Sequence, residues 1–412
     1  MRDGWAFFVT QSIRGASPSV EGSPPGSCYP APVSGLRVLL AIHHPLDPNL
    51  GAPGVTLALG EALTGLGCEV SYYGFGEAFP GVTAYSAWHS VRFPWTLSAW
   101  LTRNAGRFDV LDITTGDCWP WARLSRPGAK RRHALVTRSH GLEHVVTEQL
   151  RTDARAGAAN LSWKYPLYHG GFRLWEVGQS LRLSDRVVLL NPLDRDYASG
   201  HLGVPAEHIC LIPHGLPEPF RALPPPELLA EGPLRLAFVG SWIQRKGRED
   251  VVAVARALLE QHVAFSLSIL GTGTGEAEVL AAFPAAARER IRVVPRYRHA
   301  ELPTLLREHE VLLFPSHAEG YGMSLIEAMA CGLAPIATPV GVAPEVVREG
   351  ESGRLLPIGD VPGFTAAVRA YAEDRQRLLE VRRAAQTAVQ GMTWRDVALR
   401  TLRLYESALQ AR

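Results

Sequence analysis

The sequence predicts an α/β protein made of two doubly wound, parallel-sheet domains facing each other across a cleft. Short apolar runs alternate with helical stretches along most of the chain, the pattern of strand–helix–strand units. A proline-rich stretch, 217–233, containing Pro224-Pro225-Pro226, interrupts the alternation, which then restarts. The 412 residues also exceed what one hydrophobic core usually organises. Ligands of such sheets bind beyond the carboxyl ends of the strands, which places a site between the two domains.

Residues 1–34 are rich in Ser, Pro and Gly and lack the apolar centre of a signal peptide. They read as a disordered tail or as sequence ahead of the true start. Folded sequence begins with Leu36–Ile42, a short, mostly apolar strand of the buried parallel type. A helix over about 55–66, stopped by Gly67, follows. Further strands are expected at Cys68–Tyr73, Val110–Thr114, Ala134–Ser139, Arg186–Leu190 and Ile209–Pro213. Together 35–216 form the first domain, and 217–233 is the linker. The second domain, 234–393, carries strands at Leu234–Val239, Phe265–Leu270, Ile291–Pro295, Val311–Phe314 and Ala334–Thr338, and a last helix spans about 394–410.

A net charge of +2 and 20% charged residues give no global pull toward nucleic acid or membrane. Cys28, Cys68, Cys118, Cys210 and Cys331 are odd in number and scattered. They form neither a disulfide framework nor a metal-ligand spacing, which suits a reducing cytoplasm. No apolar run reaches the roughly 20 residues of a membrane span. No metal and no cofactor are expected.

The densest chemistry lies in Phe314–Cys331, FPSHAEGYGMSLIEAMAC. It reads as a strand end, a polar turn and an amphipathic helix opening near Met323 or Ser324. Gly320, Tyr321 and Gly322 let the backbone pass close to a ligand. The helix start offers orphan amides and a positive dipole end to an anion. Glu319 before the turn and Glu327 in the first helical turn can face one cleft, where carboxylates accept hydrogen bonds from sugar or ribose hydroxyls. A structural reading stands beside this: Ser324 and Glu327 fit a capping box, and Glu319 fits a solvated turn acid.

The run from Glu319 to Gly332 resembles the donor-site signature of the retaining, two-Rossmann-domain transferases of glycosyltransferase family 4. The resemblance covers the second domain almost wholly and the first more loosely. It implies the GT-B fold, with the last helix crossing back onto the first domain, and a metal-independent transfer from a nucleotide diphosphate sugar. In the implied roles Glu319 holds sugar hydroxyls and Glu327 the ribose, while the amides of Met323 and Ser324 receive phosphate. Phe238–Gly247 is similar to the family's strand–loop–Lys-Gly element. That similarity assigns Gly240 to the donor loop, and Lys246 with Arg245 to the diphosphate. Ser241 stands where an arginine is usual, and solvated loop charges are the alternative for both cations. Gly51 and Gly54, ahead of the first helix, resemble the glycine loop of the first domain, with Ala52 replacing one glycine. His140 matches a histidine that contacts the donor sugar near the reacting carbon, and His214 reads as structural.

Two patterns carry less. Gly271-Thr272-Gly273-Thr274-Gly275 misplaces the third glycine of a dinucleotide fingerprint, and Asp194-Arg195-Asp196 sits where acids favour a helix start. A nicotinamide oxidoreductase would also use paired α/β domains, but no glycine fingerprint follows the first strand of either. A non-catalytic sugar-binding relic is the other alternative. For the acceptor, Trp88, Trp95, Trp100, Trp119, Trp121, Trp163 and Trp175 are interleaved with Arg123, Arg126, Lys130, Arg131 and Arg132. That pattern suggests a glycan or a membrane-attached glycolipid held by the first domain, the latter with peripheral contact at the membrane face.

Overall fold

The computed structural model describes residues 35–124, 133–157, 161–229 and 232–411. Its backbone is organised by two all-parallel sheets of six strands each. The first contains β1 (Arg37–Ala41), β2 (Glu69–Tyr73), β3 (Val110–Thr114), β4 (Ala134–Arg138), β5 (Arg186–Leu189) and β6 (Ile209–Leu211), in the order β2-β1-β3-β4-β5-β6. The second contains β7 (Leu234–Val239), β8 (Phe265–Leu270), β9 (Ile291–Val294), β10 (Val311–Phe314), β11 (Ala334–Ala337) and β12 (Arg354–Leu355), in the order β12-β11-β10-β7-β8-β9.

Both orders reverse direction once, between β1 and β3 and between β7 and β10. At such a point neighbouring loops leave to opposite faces and open a crevice at the carboxyl edge. The central strands are mostly apolar because helices cover both faces. Val311–Phe314, for example, are all at most 3% exposed. Pairing is direct: Leu234–Val239 runs alongside Phe265–Leu270, residue by residue.

The helix Trp394–Gln410 follows the second half but belongs to the core of the first. Val397, Ala398, Leu402, Tyr405 and Ala408 lie on one stripe at helical spacing and pack with Val38, Leu40, Leu59, Leu63, Val110 and Val136. Thr393 caps it by accepting the Asp396 amide. The crossing back expected from the sequence is therefore observed.

Two elements differ from expectation. The first helix spans Gly51–Thr64, so Gly51 and Gly54 lie inside its first turn and not in a loop ahead of it. Pro53 is tolerated there because first-turn amides have no intrahelical acceptor. Gly54 is required by the chain itself, since a Cβ would lie 2.8 Å from the Pro48 carbonyl oxygen. β12, with two residues, carried no readable pattern. Residues 1–34 and the basic run 126–132 lie outside the described residues. Among the described residues, Cys68, Cys210 and Cys331 are free thiols, and no helix is long and apolar enough to cross a membrane.

Candidate active site

The loops after β7 and β10 straddle the reversal point of the second sheet. The first is held by Trp242, which is buried and donates its amide to the Thr272 carbonyl. It passes through Gly240 (φ 146°) and closes at Gly247 (φ 74°), where a Cβ would collide with the Pro315 carbonyl. The two loops are thus pressed backbone to backbone, and their charges meet. Lys246 Nζ donates to Glu319 Oε1 at 2.6 Å, and Ser316 Oγ donates to the same oxygen at 2.7 Å. Arg245 donates to the Ala318 carbonyl and lies 3.6 Å from Glu319 Oε2.

Burial alone would raise the Glu319 carboxyl. The Lys246 and Arg245 charges and the Ser316 bond outweigh it and hold the group below the ordinary carboxylate range. Glu319 is therefore an ionised carboxylate with one saturated oxygen and one less engaged. Neither it nor Lys246 is a solvated surface charge.

The helix Met323–Ala330 starts where the sequence places it. Its N-cap is Gly322 at φ 97°, with no side-chain cap, so the Ser324–Glu327 capping box does not form. Ser324 is the second helical residue, past the position from which a hydroxyl caps. Glu327 consequently falls beyond the first turn. Its Oε1 lies 2.8 Å from His299 Nε2, and that bond raises the imidazole above its ordinary range against the pull of burial. Tyr321 is buried, stacks edge-on to His214 at 4.7 Å and donates to the His214 carbonyl. Its ring is a packing element of the turn.

The first half supplies the opposite wall. His140 follows β4, and burial, then Arg138, His43 and His44, push its imidazole down to about 3. It is neutral, and its buried Nδ1 has no hydrogen-bond partner among the described residues. Beside it Gly141 has φ 126°, and a Cβ there would collide with Gly320, while a Cβ at Gly320 would collide with the His140 carbonyl. Gly320 therefore serves the close approach of the two halves, where the sequence suggested approach to a ligand. A further contact joins the halves where the His299 amide donates to Asn49 Oδ1 at 3.1 Å.

These walls enclose a cavity of about 570 Å³, within the range that holds a small-molecule ligand. His140, Glu319, Lys246, Glu327, Arg245, Gly240, Gly320, Tyr321, Gly322, Met323, Ser324, Gly51 and Gly54 all line it. The structure adds Tyr297, His299, Asn49 and Trp394, none of which carried a motif, and also His214, which the sequence reads as structural. Ser241 lines it without a cationic side chain, and Arg245, in the same loop, is the arginine among the described lining residues. Gly271 also reaches the rim, as an ordinary turn glycine. Asp194 instead accepts the Leu142 amide. No group of three or more His, Cys, Asp or Glu side chains among the described residues is placed to hold a metal ion.

Sequence reasoning also missed a buried ionic cluster at the carboxyl edge of the first sheet. The Arg173 guanidinium lies 3.2 Å from Asp117, 3.7 Å from Glu176 and 3.8 Å from Glu143, and donates to the Thr115 carbonyl. Asp117 in turn bonds His43 at 2.9 Å. Gly116 (φ 80°) leaves room for Arg173, which a Cβ would occupy. Burial pushes Glu176 up to about 7 against the Arg173 charge. Of the tryptophans, Trp119 and Trp121 are buried, while Trp88, Trp95, Trp163 and Trp175 are exposed. Trp95, Trp119, Trp175 and Phe172 form one contiguous aromatic group. Arg126, Lys130, Arg131 and Arg132 lie outside the described residues.

Comparison with known proteins agrees with this geometry. Residues 35–215 match the family model "Glycosyl transferase 4-like domain", and 233–374 match "Glycosyl transferases group 1". Among curated relatives, glycogen synthase of Mycobacterium tuberculosis is 29% identical over 236 residues, 55% of each chain. D-inositol 3-phosphate glycosyltransferase of Streptomyces coelicolor is 27% identical over 340 residues, covering 76% of this chain and 72% of the relative. The chain thus spans only about half the length of the glycogen synthase it matches. Sucrose-phosphate synthase of Thermosynechococcus elongatus has the same fold, with a TM-score of 0.71 at 21% identity over 92% of this chain and all of that one. Alr3699/HepE of Anabaena, solved with UDP-glucose, gives 0.63 at 16% identity over 90% of this chain and all of that one. With two family models that together cover most of the chain and a two-sheet architecture shared with these structures, this protein belongs to the GT-B-fold glycosyltransferases of group 1.

Proposed function

We propose that the protein transfers a sugar, with retention of anomeric configuration, from a nucleotide diphosphate donor to a hydroxyl acceptor on the first half. The observation that carries this reading is the Lys246–Glu319 pair at 2.6 Å beside the start of the helix Met323–Ala330. One ammonium can serve both sides, because it has three donors: one bonds Glu319 and the others are available to a diphosphate. Lys246, Arg245 and the amides of Met323 and Ser324 stabilise the leaving group as negative charge grows on it. The less engaged oxygen of Glu319 accepts sugar hydroxyls. Glu327, held by His299, accepts the ribose hydroxyls. Neutral His140 hydrogen-bonds the sugar near the reacting carbon and does not act as an acid.

A thermal-shift screen of UDP-, GDP- and ADP-sugars tests the reading. A donor at about 100 times its Kd adds roughly 2.7 kcal/mol, so one nucleotide series is expected to raise the unfolding midpoint visibly. No shift from any series at millimolar concentration would refute it.

The exposed aromatic group favours a membrane-attached glycolipid over a free glycan as acceptor. Trp95, Trp175 and Phe172 suit an interfacial layer, and the basic run Arg123–Arg132 suits anionic headgroups. The protein is expected to float with anionic vesicles at low salt and to be released at high salt. Failure to float at low salt would leave a soluble acceptor.

A further inference from the structure

His317 occupies the loop after β10, two residues ahead of Glu319, and its ring bonds a carboxylate on each half. Its Nε2 lies 2.8 Å from Asp250 Oδ2, on the helix Arg248–Glu260 of the second half. Its Nδ1 lies 3.0 Å from Asp153 Oδ2, on the helix Glu143–Arg155 of the first half. Asp153 is itself buried and fixed by Gln149, whose Nε2 donates to the other carboxylate oxygen at 2.8 Å. The His317 amide donates to the Arg245 carbonyl at 2.9 Å, which ties the loop to the second half independently of the ring.

The chemistry of this arrangement is restrictive. A neutral imidazole has one donor and one acceptor nitrogen, whereas ionised carboxylates only accept. Both contacts are hydrogen bonds only when the ring carries two protons. We propose that His317 is a positioning residue that, as an imidazolium, pins the donor loop 315–322 to the first half and lets it go on deprotonation. The link to catalysis rests on the function proposed above, because Glu319 reaches the cavity from this loop. The Asp250 bond, and then Asp153, raise the imidazole above its ordinary value near 6.5 against the opposing effect of burial. The other charges beside the loop, Arg245 and Lys246, are turned to Ala318 and Glu319. A raised pKa means that the pin is in place below the ordinary histidine range and is lost as pH rises through the raised value.

Hydrogen exchange of the free full-length chain tests the pin without any substrate. After correction for intrinsic rates, protection of residues 315–322 is expected to fall about tenfold between roughly pH 6 and pH 9, the scale of one hydrogen bond to a charged group. In His317→Gln protection is expected to be low and flat across that range. Superimposable profiles for the two proteins would overturn the proposal. Asp153→Asn is the second variant: it keeps the shape, removes one charge and is expected to move the transition to lower pH, and an unmoved transition also overturns the proposal. In a transfer assay His317→Gln is expected to raise the donor KM several-fold while changing kcat less than twofold. Exchange that follows pH in a protein binding no nucleotide sugar would uphold the pin and refute the transferase reading.

Discussion

Replacing Lys246 by alanine is expected to lower kcat/KM for the donor by about 10²- to 10³-fold, the cost of removing one preorganised group that stabilises transition-state charge. The loss has two sources. The diphosphate loses its nearest cation, and Glu319, only 5% exposed, loses the partner that keeps it ionised in place. Arg245 cannot compensate, because it is 3.6 Å away and already bonded to the Ala318 carbonyl. The Lys246 stem also lies against Gly240, where a Cβ would already be 3.6 Å from Cε, so Lys246→Arg is expected to recover only part of the activity. Combining Lys246→Ala with Glu319→Gln should cost less than the two single losses added, since the residues share one interaction. Steady-state kinetics measure this directly. A Lys246→Ala loss below tenfold would contradict the role assigned to it.

The largest stability effect is expected where the last helix docks. Arg138 on β4 and Asp112 on β3 form a double hydrogen bond, with Arg138 Nη2 to Asp112 Oδ2 at 2.7 Å and Nε to Oδ1 at 3.2 Å. Tyr405, from the helix Trp394–Gln410, donates to Asp112 Oδ2 at 2.6 Å. All three are buried. Asp112→Ala would strand the Arg138 charge in the core and is expected to cost about 3–5 kcal/mol. Tyr405→Phe removes one donor to a charged acceptor and should cost about 1–3 kcal/mol. Urea unfolding reports both, with the slope unchanged if only stability has moved. A loss under about 1 kcal/mol for Asp112→Ala would mean that the pair is solvated in solution. The network also bears on the site, because His140 lies two residues beyond Arg138 on the chain.

The parts of this fold that could be read from sequence are those governed by local pattern. Val110–Thr114, Leu234–Val239, Phe265–Leu270 and Val311–Phe314 match their expected runs end to end, because a strand covered on both faces reads as a mostly apolar run with few polar positions to blur it. The start of the helix Gly51–Thr64 was hidden because Gly-Ala-Pro-Gly carries loop chemistry, and only the Pro48 carbonyl beside Gly54 explains it. The site divides in the same way. Residues 319–327 and 240–247 are contiguous, so their composition announces a turn, a helix start and paired charges.

The partners that tune those residues come from elsewhere in the chain. His299 is 28 residues from Glu327, and Asp153 is 164 residues from His317. Arg173 gathers carboxylates from two other segments and from its own helix. Such contacts exist only once the sheets have set the loops side by side, and no single-sequence spacing encodes them. Gly320 shows the same limit, since its residue type was legible while its cause, the His140 carbonyl in the other half, was not.

Calorimetric titration of the full-length protein with the nucleotide sugar chosen by the thermal screen tests the central claim most directly. Glu327 is 5% exposed, lines the cavity and is held by His299, so Glu327→Ala is expected to weaken donor binding by about tenfold or more, the value of hydrogen bonds to a charged acceptor. Lys246→Ala is expected to weaken it separately through the diphosphate. Saturable binding of the donor by the wild-type chain, reduced in both variants, is the predicted result. Unchanged donor affinity in both variants would contradict it.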